Sequence, residues 1–200
     1  FTPISDVKYP ADAFAGTFDG NGHSITGLSI NSSSANGIGL FSYVNGGTIK
    51  NLKVEGTIVS SLGANGKGSQ FVGGIIGKTQ GTVKVTNCSF SGSITTAQSG
   101  SNAAAGGIIG RVNSGSPEIN SCANLSDITA TNGIAGGIAG YTTNKITIQN
   151  CYNSGNIKAL WNASGIIAWL TGGKSSSSVI ENCYSIGKIS VTNAANPYAG

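Results

Sequence analysis

One unit is written five times along this chain, and any fold must house all five copies in the same way. Its first half reads GLFSYV from Gly39, GIIGKT from Gly74, GIIGRV from Gly107, GIAGYT from Gly137 and GIIAWL from Gly165. Its second half reads IKNLKVEGTI, VTNCSFSGSI, INSCANLSDI, IQNCYNSGNI and IENCYSIGKI. Successive starts lie 35, 33, 30 and 28 residues apart, and the variation falls in joins such as AQSGSNAA and TQGT. A repeat this short cannot bury its own apolar face, so its copies must stack on one another.

Stacking turns the copies into columns. Ile49, Val85, Ile119, Ile148 and Ile180 form one, and Ile58, Ile94, Ile128, Ile157 and Ile189 another. A third holds Leu52, Cys88, Cys122, Cys151 and Cys183, so cysteine stands in for leucine and reads as a small buried hydrophobe. Isoleucine and cysteine are three apart, which strict alternation would place on opposite faces, so the chain must break between them. Asn51, Asn87, Ser121, Asn150 and Asn182 occupy that break. Asparagine tolerates the left-handed conformation, and amides stacked rung on rung can bond to one another. Gly56, Gly92, Gly155 and Gly187, with Ser126 as the exception, mark a second bend on the same reasoning.

The residue inventory agrees. The chain has 32 glycines, 9% charged residues and no methionine, so good helix formers are scarce while Ile, Val and Thr alternate with turn residues. Units of this length hold three short strands and three turns. They fit neither a propeller blade, which is longer, nor a leucine-rich repeat, which is shorter. The expectation is an all-β chain, a right-handed parallel β-helix (solenoid) of about five to six rungs. It forms a single domain over 1–200, with a lead-in and first rung in 1–38 around FAGTFDGNGHSITGLSI and the repeats in 39–200. The closing NPYAG resembles the opening of another first half, and the chain has no initiator methionine, so a fragment of a longer protein is expected. A net charge of +4 drawn from scattered residues is too dilute for nucleic acid, and no apolar run is long enough for membrane insertion.

GTFDGNGHSITGL, then GLFSYVNGGTIKNLKVEGTI, then the reiterated GGIIG and NCYNSGNI together resemble the GLUG-motif repeat region of secreted and surface-anchored bacterial proteins. Such repeats occur in adhesin-like proteins and in accessory regions of immunoglobulin A peptidases. The resemblance covers residues 14 to 200. It implies a surface β-helix with no catalytic residue to carry over, secreted or held at a bacterial cell surface.

The chemistry available in the sequence is sparse. The cysteines are 34, 29 and 32 residues apart, one per rung, so reduced core thiols are expected while pairing stays open. His23 has no neighbouring CxxC, so no metal site and no cofactor are expected. Asp6, Asp12, Asp19, Glu55, Glu118, Asp127 and Glu181 form no acid and base pair at the separation that glycoside hydrolysis needs. The candidate ligand-binding residues are the column that follows GIIG: Tyr43, Lys78, Arg111, Tyr141 and Trp169, with Trp161 extending it. Alternation points this column outward, where aromatics and cations could stack on sugars or hold acidic groups, or merely cover the strand face. Phe41, Ile76, Ile109, Ala139 and Ile167 cannot face inward together with their preceding neighbours, which requires either a bulge or a second apolar stripe. The expected function is a non-enzymatic structural or adhesive module, its partners a host glycan or host surface protein and the neighbouring domains of the same polypeptide. A carbohydrate-active β-helix enzyme is the alternative, and ice binding through the Ser/Thr tracts a remote one.

Overall fold

The computed structural model of the chain describes residues 1–6, 10–33, 37–60, 70–97, 103–171, 177–193 and 198–199. Most of the AQSGSNAA join and part of NPYAG therefore lie outside the described residues. Among the described residues the regular structure is strand apart from 3-10 geometry at Pro10–Asp12 and at Ser177, and the strand pairings are parallel. Three sheets run along a solenoid of about five turns. The five-stranded sheet stacks Phe41–Asn45, Ile76–Gln80, Ile109–Val112, Ala139–Thr142 and Ile167–Leu170. The six-stranded sheet stacks Gly37–Ile38, Phe71–Gly73, Ala104–Gly106, Ile134–Gly136, Asn162–Ser164 and Tyr198–Ala199. The 13-stranded sheet collects the second halves of the units, from Thr17–Asp19 and Ser24–Ser32 to Ile189–Val191.

Repeat columns and structural columns coincide. Ile49 pairs with Val85, Val85 with Ile119, Ile119 with Ile148 and Ile148 with Ile180. Ile49, Val85, Ile119 and Ile148 fill one continuous core together with Leu52, Cys88, Cys122 and Cys151, while Ile180 on the last of these rungs is 43% exposed. All four cysteines are free. Each thiol donates to a carbonyl of the rung below, Cys151 Sγ to Ile119 O at 3.7 Å for example. Cys122 is held protonated, its thiol pKa pushed well above the usual range by hydrogen bonds to Cys151 and Cys88. At the N-terminal end the rings of Phe14 and Phe18 lie 5.0 and 5.4 Å from that of Phe41 and close the core from below.

The asparagine corner is present at every rung. Asn51, Asn87, Ser121, Asn150 and Asn182 all have φ between 53° and 55°. Asn87 Nδ2 donates to Asn51 Oδ1 at 3.0 Å, and Asn51 Nδ2 to Asp19 Oδ1 at 3.0 Å. Asn182 Nδ2 donates to Asn150 Oδ1 at 3.3 Å. Serine at 121 interrupts the ladder, and Asn150 Nδ2 reaches instead to Asn120 Oδ1 at 3.2 Å.

Two expectations are corrected. The glycine column is a matter of space more than of backbone angle, since only Gly92 in it has a positive φ. A Cβ at Gly56, Gly155 or Gly187 would fall 2.1, 1.9 or 1.9 Å from a carbonyl oxygen of the rung below. The Phe41, Ile76, Ile109, Ala139 column also faces the main core, as do Leu40, Ile75, Ile108 and Ile138 before it. A bend at Gly74–Ile75 and its equivalents separates the six- from the five-stranded sheet, so the alternation restarts there and both columns turn inward.

That bend also joins the two halves of the unit across the core. A Cβ on Gly74, Gly107, Gly137 or Gly165 would meet Phe90 Cγ at 2.3 Å, Asn124 Cγ at 2.4 Å, Asn153 Cγ at 2.6 Å or Ser185 Cβ at 2.2 Å. The column opposite these glycines changes from Val54 and Phe90 to Asn124, Asn153 and Ser185. Asn124 and Asn153 are fully buried. Buried amides are tolerated only when bonded. Here Asn124 Nδ2 donates to Asn153 Oδ1 at 2.6 Å and Asn153 Nδ2 to Ser185 Oγ at 3.0 Å.

Candidate ligand-binding surface

The five residues that follow GIIG form one ladder on the five-stranded sheet: Tyr43 pairs with Lys78, Lys78 with Arg111, Arg111 with Tyr141 and Tyr141 with Trp169. Their side chains leave the main core but do not stand free. The six- and five-stranded sheets meet at a seam of glycines, where a Cβ on Gly73 would lie 2.7 Å from Gly110 N and one on Gly106 2.7 Å from Gly140 N. Outside that seam Phe71, Ala104 and Ile134 form a second, smaller apolar cluster, and Tyr141, Ala168 and Trp169 pack onto it. The ladder therefore lies in a re-entrant angle between two sheets.

Its members occupy each other's faces. Lys78 Nζ lies 4.8 Å from the centroid of the Tyr43 ring. The Arg111 guanidinium sits 4.5 Å from the Phe71 ring and 5.0 Å from that of Tyr141. Tyr141 and Trp169 stack with centroids 6.4 Å apart. Such cation–π contacts are worth roughly 0.5–2 kcal/mol each, more as water is excluded.

Exposure corrects the expectation of an outward stripe at one end. Tyr43 is only 2% exposed, and its hydroxyl donates to Gln80 Oε1 at 2.8 Å. Burial raises its phenol pKa from the ordinary value, against the donating Asn113 amide and the Arg111 charge. Burial likewise lowers the Lys78 ammonium, helped by the like charge of Arg111 and opposed by Asp6. Arg111 is lowered chiefly by burial, and its Nε is buried without a hydrogen-bond partner. The guanidinium keeps its charge regardless. Lys78, Arg111, Tyr141 and Trp169 remain half-exposed. What they offer a ligand is two cations on adjacent strands and the rims of two rings.

Trp161 does not join this ladder by register. It lies on the turn between Ile157–Ala159 and Asn162–Ser164, its backbone N–H donating to Gly133 O, and is 41% exposed.

The carboxylates are dispersed, and Asp19, Glu118, Asp127 and Glu181 are engaged. Asp19 pairs with Lys50 at 3.2 Å and accepts the Asn51 amide. Glu118 pairs with Lys84 at 3.4 Å, Asp127 accepts from Asn156 and Glu181 from Gln149. Glu118 lies in the ladder of Lys84 and Thr147, Glu181 in that of Gln149 and Asn120. Among the described residues no three His, Cys, Asp or Glu gather as a metal site would require, and no helix is long and apolar enough to cross a membrane.

Sequence reasoning missed the buried Asn124–Asn153–Ser185 ladder. The signal was there: asparagine recurs two residues after cysteine in consecutive units, CAN and CYN.

Over 107 residues, 53% of its length, the chain is 36% identical to halomucin of Haloquadratum walsbyi (strain DSM 16790 / HBSQ001). It spans about 1% of that archaeal protein. Residues 131–158, which run from one first half through the following second half, match the family described as the GLUG motif, so this solenoid carries a GLUG repeat.

Proposed function

We propose that this chain is a non-enzymatic β-solenoid module of a secreted or surface-attached protein, a rigid stack that displays an outer surface and spaces whatever flanks it. The observation that carries this reading is the placement of the carboxylates. Asp19, Glu118, Asp127 and Glu181 are bonded into the ladders themselves, and Glu118 and Glu181 lie in different columns. Glycoside hydrolysis would need two of them facing one cleft about 5–9.5 Å apart. The match to part of a very long archaeal protein named halomucin supports a location outside the cell. Adhesion to a host glycan or host surface protein, and a bacterial source, are the finer parts of the proposal. The half-exposed Lys78, Arg111, Tyr141 and Trp169 supply the surface for it.

The test is a glycan and extracellular-protein binding array run on the purified chain beside an Arg111→Ala/Tyr141→Ala/Trp169→Ala variant, with release of reducing ends from bound polysaccharides followed in parallel. Binding without turnover, lost in the variant while its β-sheet circular dichroism persists, is the expected result. Turnover of any polysaccharide would overturn the non-enzymatic reading, and binding unchanged in the variant would remove the ladder as its site.

A further inference from the structure

Beside the asparagine corner runs an outer column whose middle is empty. Register carries it from Lys53 through Ser89, Ala123 and Tyr152 to Tyr184. Tyr152 and Tyr184 stack with centroids 5.3 Å apart and planes within 7°. Because they stack along the ladder, the opposite face of Tyr152 looks onto the storeys of Ala123 and Ser89, where no ring follows. Ala123 is 7% exposed yet belongs to neither core cluster, which puts its methyl on the outer side. The result is a notch of about 220 Å³ lined by Tyr152, Ala123, Ser89, Lys53, Asn87 and Ser121. That is below the ~300–1,000 Å³ of clefts that take drug-sized ligands, and suits one small ring.

A second irregularity falls at the same level. Elsewhere an asparagine carbonyl receives the amide of the rung above, as Asn51 does from Asn87 and Asn150 from Asn182. Above Asn87 stands Ser121, whose hydroxyl donates to Asn120 Oδ1 at 2.8 Å. With its Nδ2 turned down to Asn51, the Asn87 carbonyl is turned up beside the notch without that amide. On the far side, Lys53 has Ser24 and Ser89 as its ladder neighbours, and the one carboxylate of its own strand, Glu55, stands two residues on.

We propose that this notch binds one ring of a saccharide that carries a carboxylate, an inference that rests on the glycan-facing reading above. The apolar C–H face of the sugar lies on the free face of Tyr152, at the storey of Ala123. A ring hydroxyl donates to Asn87 Oδ1. The carboxylate, on that ring or its neighbour, meets the Lys53 ammonium, which stands three storeys of ~4.8 Å below Tyr152 and two below Ala123, a gap that the sugar and a long flexible side chain span between them. The tyrosine face, the open acceptor and the cation are three features that an acidic sugar satisfies at once. In the aromatic ladder of the five-stranded sheet, by contrast, the rings already face one another.

The experiment titrates tetragalacturonate, and its methyl ester as the neutral counterpart, into the full chain by calorimetry. Free acid should bind about fivefold tighter than ester at low salt, the span of an exposed ion pair, and the difference should shrink as salt is raised. Lys53→Ala should bring the acid to the level of the ester. Tyr152→Ala should cost about tenfold, within the range known for stacking on aromatic side chains. Ala123→Tyr continues the tyrosine stack into the notch and should abolish binding while thermal unfolding shows the fold intact. Unchanged binding in folded Ala123→Tyr, or equal binding of acid and ester, overturns the proposal. If tetragalacturonate fails to bind while another ligand binds and is lost in the Arg111/Tyr141/Trp169 variant, the notch is refuted and the adhesive reading stands. Binding to nothing on the array refutes both.

Discussion

Replacing Asn87 with alanine and, separately, with glycine divides the asparagine corner into its two physical parts. Asn87 has φ 53° and donates one side-chain hydrogen bond of 3.0 Å to Asn51. Both replacements remove that bond, worth about 1 kcal/mol net. Alanine must also hold the left-handed conformation with a Cβ and no amide to compensate, at about 1 kcal/mol more, whereas glycine holds it freely. Asn87→Ala should therefore lose about 2 kcal/mol and Asn87→Gly about 1 kcal/mol, a little more if glycine's freedom in the unfolded chain is included. In a chain of this size each kcal/mol lowers the melting temperature by roughly 2–4 °C, so the two variants should separate by a few degrees. Urea unfolding followed by circular dichroism, with calorimetric melting alongside, resolves the difference. Equal losses would mean that the backbone angle carries no strain, and a glycine variant less stable than the alanine one would refute the argument altogether.

Gly107→Ala would place a Cβ 2.2 Å from Gly137 O and 2.4 Å from Asn124 Cγ. Overpacking against backbone should cost about 3 kcal/mol, visible as a lowered urea midpoint, and a neutral result would show that the rung spacing can yield there. Asp19 has its carboxyl pKa held below the ordinary value by the Asn51 amide first, then the Asn21 N–H and Lys50. A depressed carboxyl pKa gives stability that is present above the unfolded value near 3.8 and lost as pH falls through the folded value. Asp19→Asn should flatten that acid limb of the stability curve, and an unchanged limb would remove Asp19 as its source. Of the four thiols, Cys183 alone is only half-buried. Its pKa is raised, chiefly by burial. A colorimetric thiol reagent should therefore titrate one slow thiol in the native chain, its rate rising with pH, and all four after denaturation. Four native equivalents would contradict the packed ladder.

Much of this architecture is legible in the residues because each rung imposes the same steric demand at the same place. Stacking the copies locates the isoleucine and cysteine columns, and a residue type that tolerates positive φ locates the corner. Alternation fails where the chain bends. Ile75 and Ile76 both reach the core because Gly74 and Ile75 turn between sheets, and a two-residue period cannot represent a turn. Tyr43 lies outward by register and is buried all the same, its ring against the Lys78 ammonium and its hydroxyl bonded to Gln80 and Asn113, contacts that only the stacking of rungs brings to it. The column of Val54, Phe90, Asn124, Asn153 and Ser185 escapes notice for another reason. Its side chains change from apolar to amide along the axis, and only the register shows that each amide lies beside another. The notch was equally hidden, because a gap left by Ser89 and Ala123 has meaning only once Tyr152 is known to stand above them.

The parallel pairing of every rung also decides how such a stack answers force. Hydrogen bonds between rungs lie along the solenoid axis, and the two chain ends belong to opposite ends of the stack, the first described strands pairing below Thr48–Ser60 and the last above Asn162–Ser164. Tension applied at the ends therefore meets the outermost rung first and opens its bonds one after another, while the interior rungs stay paired. Each rung released frees about thirty residues of contour length, roughly 100 Å of extended chain. A stack pulled this way lengthens in discrete steps at nearly constant load, yielding from its ends as a shock absorber does.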